Sequence, residues 1–332
     1  MRTLKAVVIA VSILIGLIWT IGVLAQRARP MAFSPPSEVQ GQAFSVDDSG
    51  PITLTGVREA DVLGAAFGPL VMCEDTGLAC EDTVTGARDD VIGLSFGYDF
   101  MSVGLPPVQF SVGVGSQGIS GTAVWVEAGC TPAEPQADVF ETALDGLNEQ
   151  DLDGDGTPCG VNAGFSLGLD ETGGDNLDAV ERDPCLYVDP DCDGVLDEPI
   201  YVTLAPGSPT LAEIGASPAD ILITQGDVPP QVWAVGAADL GLTNGDVIDA
   251  LCVFDDGDHV YGSGDRVLFS LAPGSPTLGA WSASAADVLQ PRGVRYTAAW
   301  LGLLATDNVD ALSCAAELPT YRLVLPIVGR NF

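Results

Sequence analysis

Two short stretches carry residues whose types and spacing could hold a hard cation. Asp151 to Asn162 reads DLDGDGTPCGVN, and Asp189 to Ile200 reads DPDCDGVLDEPI. Both fit D-x-D-x-D-G. Carboxylates at positions 1, 3 and 5 can converge on one ion, Gly at position 6 permits the sharp turn, and position 7 offers a backbone carbonyl. The expected ligands are Asp151, Asp153, Asp155 and the Thr157 carbonyl in the first loop. In the second they are Asp189, Asp191, Asp193, the Val195 carbonyl and Asp197. All-oxygen ligands without a nearby histidine favour Ca2+ over zinc, and flexible Gly-containing turns favour it over magnesium. Position 12 is Asn162 or Ile200 rather than a bidentate Glu, so affinities on the order of 0.1–1 mM are expected. The competing reading is a solvated acidic turn. Three carboxylates gathered in one turn repel each other, which favours the cation.

Other chemistry is constrained by composition. The 332 residues carry 46 acidic and 12 basic side chains, a net charge of -34. A chain this acidic repels nucleic acid phosphates and anionic lipid headgroups. Lys5 is the only lysine and His259 the only histidine, so the usual general base and the histidine zinc sets are missing. Gly93-Leu94-Ser95-Phe96-Gly97 matches G-x-S-x-G, but a triad needs a downstream histidine and a following helix. Asp48-Ser49-Gly50 and Asp75-Thr76-Gly77 match D-[ST]-G but lie too close together for the two lobes of an aspartic protease, so turn chemistry explains them better. A glycosidase needs only two carboxylates, and no pair stands out. Trp125, Trp233 and Trp300 lie in strand-like segments and read as core. Asp255 to Asp265, DDGDHVYGSGD, reads as a decayed acidic loop with His259 solvated.

The elements that must position these residues come from an internal repeat. With 40 Gly and 23 Pro, turn-rich β structure is favoured over long helices. Tyr201 to Leu211 (YVTLAPGSPTL) matches Leu268 to Leu278 (LFSLAPGSPTL). ASPADIL (Ala216 to Leu222) matches ASAADVL (Ala283 to Leu289), and LGLTNGDVIDAL (Leu240 to Leu251) matches LGLLATDNVDAL (Leu301 to Leu312). Weaker copies start near Phe44 and Phe110, giving units of about 43–95, 109–180, 201–251 and 268–314. In the third unit, strands are expected at Tyr201–Leu204, Asp220–Thr224, Gln231–Val235 and Val247–Val253. A four-stranded unit cannot bury a core alone, so neighbours must share one. The expected fold is all-β, four internal repeats of about four strands each, β-propeller-like, with tandem β-sandwich modules as the alternative. The recurring Asp138, Asp220 and Asp287, and Asp178, Asp249 and Asp310, read as residues that bond backbone N–H groups.

Arg2 and Lys5 precede an uncharged stretch, Ala6 to Ala25, ending in a small-residue site. Residues 1–25 therefore read as a signal peptide or an N-terminal membrane anchor, 26–42 as a linker, 43–314 as the repeat domain and 315–332 as a tail. Eight cysteines in an exported chain imply disulfides, and spacing suggests Cys73–Cys80, Cys130–Cys159, Cys185–Cys192 and Cys252–Cys314.

The first acidic loop, with Cys159 after it, resembles the Excalibur-type calcium motif D-x-D-x-D-G-x-x-C-E, with Gly160 in place of the final Glu. The second resembles the Asp-rich loops of thrombospondin type 3 modules. The FSLAPGSP-like and DxxDAL-like blocks resemble those of secreted bacterial β-repeat proteins. These resemblances imply extracellular calcium binding and no particular catalysis. The expectation is an exported, calcium-stabilised module at the cell surface or in the medium, with a glycan or protein partner, no nucleic acid, and membrane contact only through an uncleaved N-terminus. The alternative is a secreted carboxylate-dependent hydrolase acting on polysaccharide.

Overall fold

The computed structural model describes residues 43–46, 57–64, 68–80, 89–95, 108–157, 159, 165–182, 199–224, 228–255 and 258–313, all within the compact unit Glu38–Phe332. Residues 1–42, the Asp189–Asp197 loop, Cys185, Cys192 and Cys314 fall outside them.

Four small sheets form a ring, the arrangement of a four-bladed β-propeller. The first blade holds β1 (Ala43–Val46), β2 (Val62–Gly64) and β3 (Gly68–Val71). The second holds β4 (Val91–Ser95), β5 (Val108–Val112), β6 (Val139–Thr142), β7 (Glu149–Asp153) and the short β8 (Phe165–Ser166). The third holds β9 (Leu177–Arg182), β10 (Ile200–Leu204), β11 (Ile221–Thr224) and β12 (Gln231–Ala234). The fourth holds β13 (Ile248–Phe254), β14 (Arg266–Leu271), β15 (Val288–Gln290) and β16 (Gly293–Tyr296). The final strand, β17 (Val309–Ser313), pairs antiparallel with β1 and closes the ring. The strands expected in the third unit are all present, but each blade is shifted by one strand against the sequence units. The block that ends one unit, such as Ile248–Phe254, becomes the innermost strand of the next sheet.

The repeat positions are structurally equivalent. Phe44, Phe110, Val202 and Phe269 each stand on the second strand of a blade. Inward they face Leu312, Leu94, Val180 and Leu251; outward they face Leu63, Phe140, Leu222 and Leu289. Strands such as Ile200–Leu204 are buried at every residue because each blade packs on both faces. Four apolar clusters fill the spaces between blades. Ile200 and Val202 join the cluster shared with the second blade, while Tyr201 between them joins the one shared with the fourth. This period-two alternation builds both cores from one strand.

Two of the three tryptophans differ from expectation. Trp233 is buried, but Trp125 and Trp300 are 48% and 43% exposed. Both stand on short helices, Ala123–Ala128 and Ala298–Leu301, whose helical period turns other residues inward. Trp300 stacks on Tyr296 at 4.4 Å between ring centroids.

Two of the expected disulfides, Cys73–Cys80 and Cys130–Cys159, are formed. Cys252 is also disulfide-bonded. Among the described residues no helix is long and apolar enough to cross a membrane.

Candidate metal centre

The site grows out of a clamp repeated around the ring. On the approach to the third strand of each blade, an Asp ties the preceding turn to the connection that leaves the blade. Asp220 accepts the Ser217 N–H at 2.8 Å through one oxygen and the Gly236 N–H at 2.7 Å through the other. Asp287 does the same with Ser284 at 2.7 Å and Ala298 at 2.6 Å. Asp61 does so with Arg58 at 3.0 Å and Cys73 at 2.8 Å. The reading of these acids as backbone-bonding residues holds for Asp220 and Asp287.

Asp138 completes only half of the clamp. Its Oδ1 accepts the Gly154 N–H at 3.0 Å, but the residue three before it is Pro135, which has no N–H. No N–H faces Oδ2, although Asp138 is fully buried; its carboxyl stands against that of Glu171, close enough for the two to hydrogen-bond when one holds a proton. Instead Asp138 meets Asp153 and Glu171. One carboxylate oxygen from each lies within 4.8 Å of the others, and all three residues are buried. No N–H faces Glu171 Oε1 either.

Local structure explains the convergence. Asp153 ends β7, and its Oδ1 accepts the Gly156 N–H across the turn that follows. Gly156 has φ +79°, the left-handed conformation that glycine adopts without strain. At Gly154 a Cβ would collide with the Glu171 carboxylate, so the missing side chain leaves the space that Glu171 fills. Glu171 reaches it from the turn before β9, which is anchored by the bond from the Leu169 N–H to the Gly154 carbonyl.

The electrostatics follow from burial. Desolvation, and then Glu171 beside it, pushes the Asp138 carboxyl well above the usual carboxylate range. Burial raises Glu171 to about 8, with Asp153, Asp155 and Glu134 adding like charge. Burial also raises Asp153, Glu134 and Glu127, the last to about 7. Carboxylates crowded in this way stay charged only with a counter-ion.

The arrangement differs from the linear loop expected from sequence. Asp153 enters the cluster, and Asp155 lies close enough to act on Glu171 and Glu134. Asp151 goes elsewhere: it accepts from Arg182 Nη1 and Gln109 Nε2, both at 2.7 Å. The cause is strand geometry. Asp151 and Asp153 both belong to the extended β7, where residues two apart are separated by roughly 6.5 Å, too far for the compact turn that the motif assumes. Thr157 is exposed, and its N–H is bound to Asp155 Oδ1 at 2.6 Å. Asp189, Asp191, Asp193, Val195 and Asp197 lie outside the described residues. Asp138 and Glu171 were not singled out as ligands from sequence. The available signal was Pro135, standing where Ser217 and Ser284 stand in the other units.

The described parts of the remaining motifs resolve as structure; Asp48-Ser49-Gly50, Phe96 and Gly97 lie outside the described residues. Ser95 is fully buried on β4 and donates to Glu181 at 2.7 Å, so it is no nucleophile elbow. Asp75 lies in the single-turn helix Cys73–Thr76 and accepts the Met72 N–H at 3.3 Å. In the third acidic stretch, Asp255 accepts from the Tyr201 hydroxyl at 2.8 Å and from the His259 N–H at 3.3 Å.

Fold and site together define a class: a four-bladed β-propeller with a buried carboxylate cluster in its second blade. The chain matches no protein-family model, no curated protein and no solved structure.

Proposed function

We propose that this chain is an exported, calcium-binding β-propeller that serves as a binding or structural module outside the cell. The observation that carries the reading is the buried cluster of Asp138, Asp153 and Glu171, with two acceptor oxygens that no N–H group of the chain reaches. Calcium takes carboxylate oxygens at about 2.3–2.6 Å, so opposed ligands stand up to roughly 5 Å apart, compatible with three carboxylate oxygens that all lie within 4.8 Å of one another. The disulfides support a compartment outside the cytoplasm. The net charge of -34 opposes nucleic acid and supports a cation, with a glycan or protein as partner.

The raised Glu171 and Glu127 beside other carboxylates also suit general acid–base hydrolysis. Burial argues against it. Asp138, Asp153 and Glu171 are 0%, 2% and 3% exposed, which admits an ion but no sugar chain. Thermal melting tests the reading. At 10 mM calcium and an affinity of about 0.1–1 mM, the native state gains about 1.4–2.7 kcal/mol, a melting rise of several degrees. Asp138→Asn should remove that rise. A wild-type melt indifferent to calcium would return the cluster to protonated carboxyls. Polysaccharide hydrolysis lost in folded Asp153→Asn would favour the hydrolase.

A further inference from the structure

Beside the Asp138 cluster stands a second pair of carboxylates that it does not absorb. Glu127 ends the inward face of the helix Ala123–Ala128, and Glu134 precedes the single 3-10 turn Pro135–Ala137 that leads into Asp138. The Cys130–Cys159 disulfide joins the segment between them to the acidic loop. One oxygen each of Glu127 and Glu134 and the two disulfide sulfurs all lie within 4.8 Å of one another.

Glu127 is 1% exposed, and its Oε1 has no hydrogen-bond partner. Its Oε2 faces Cys130 Sγ at 3.5 Å, but a disulfide sulfur has no proton to donate. A carboxylate buried this deeply without any donor is costly unless something positive or a proton sits against it. Glu134 is 8% exposed and supplies a second oxygen. Hard cations do not take disulfide sulfur, so the sulfurs form a wall and the ligands are carboxylates.

We propose that Glu127 and Glu134 hold a second calcium ion next to the one between Asp138, Asp153 and Glu171, so that the second blade carries a paired-ion centre. The inference rests on the reading of the first cluster as a cation site. The charge of Asp153 acts on Glu127, Glu134 and Glu171 alike, so the two carboxylate groups are neighbours. The disulfide has a definite task in this arrangement: it fixes the Glu127 helix against the loop that carries Asp153 and Asp155.

The test counts ions. Full-length chain is stripped with chelator and titrated calorimetrically with calcium chloride, and each variant is compared with wild type, which cancels any ion bound elsewhere. Glu127→Gln should bind one calcium fewer, and Glu171→Gln one fewer. Glu134→Gln, at a less buried turn, serves as the second variant if Glu127→Gln fails to fold, and it too should lose one ion. Glu127→Gln and Glu134→Gln binding the wild-type number, while Glu171→Gln loses one, would overturn the second ion and leave the first reading standing. Glu171→Gln binding the wild-type number would overturn both.

Discussion

At the residue scale, position −3 of the Asp clamp decides what the aspartate does. Ser217 and Ser284 offer N–H groups to Asp220 and Asp287, and both oxygens are satisfied. Pro135 offers none, and Asp138 is left with an oxygen to share. Asp153 was legible from the D-x-D-x-D-G pattern. Asp138 and Glu171 were not, because they come from separate connections that meet only once the blade has formed. Two substitutions separate the roles. Gly154→Ala should push Glu171 out of its cradle and abolish the calcium-dependent rise in melting temperature. Asp151→Asn should leave that rise intact while weakening the Arg182 pair, costing about 1–3 kcal/mol in denaturant unfolding with and without calcium.

At the element scale, the innermost strands share an irregularity. The register skips one residue in each: Ile92, Asp178, Asp249 and Asp310. Such bulges let a polar residue leave the apolar ladder. Asp249 accepts from Asn308 Nδ2 at 2.7 Å, whereas burial, and then the Asp249 charge, pushes Asp178 up to about 8. The folded state therefore binds the Asp178 proton more tightly than the unfolded chain, whose carboxyl titrates near about 3.9. That contribution is complete below about pH 4 and is lost as the pH rises to about 8. Asp178→Asn should flatten this decline when unfolding is followed from pH 4.5 to 8 in saturating calcium. An undiminished slope would place the titration elsewhere. A second series links elements. Asp175 and Asp246, just before the inner strands, accept the backbone N–H and hydroxyl of Thr210 and Thr277. Asp246→Ala should cost on the order of 3 kcal/mol in denaturant unfolding, since it strands buried donors. These acids sat in plain view in the third repeat block. Strand positions were legible from Val, Ile and Leu bounded by turn residues. The one-strand offset was not, because a repeat fixes a period and leaves open where each sheet begins.

At the scale of the whole molecule, the offset and the closure are one fact. Each blade borrows its innermost strand from the preceding sequence unit, so the first blade must receive β17 from the end of the repeat array. The four matched positions then place Phe44, Phe110, Val202 and Phe269 in four successive inter-blade cores. Phe269→Ala should cost about 3–5 kcal/mol in denaturant unfolding, because two blades lose the same contact. Within this ring, the insertion that lengthens the second blade brings the helix Ala123–Ala128, the Cys130–Cys159 disulfide and the acidic loop to one place. The central claim is that an ion lies there. The direct measurement is an anomalous difference map from crystals grown with calcium, collected at a wavelength where calcium scatters anomalously. The account predicts a peak about 2.3–2.6 Å from oxygens of Asp138, Asp153 and Glu171. A map with no peak between those three carboxylates, in crystals whose other calcium sites are visible, would contradict it.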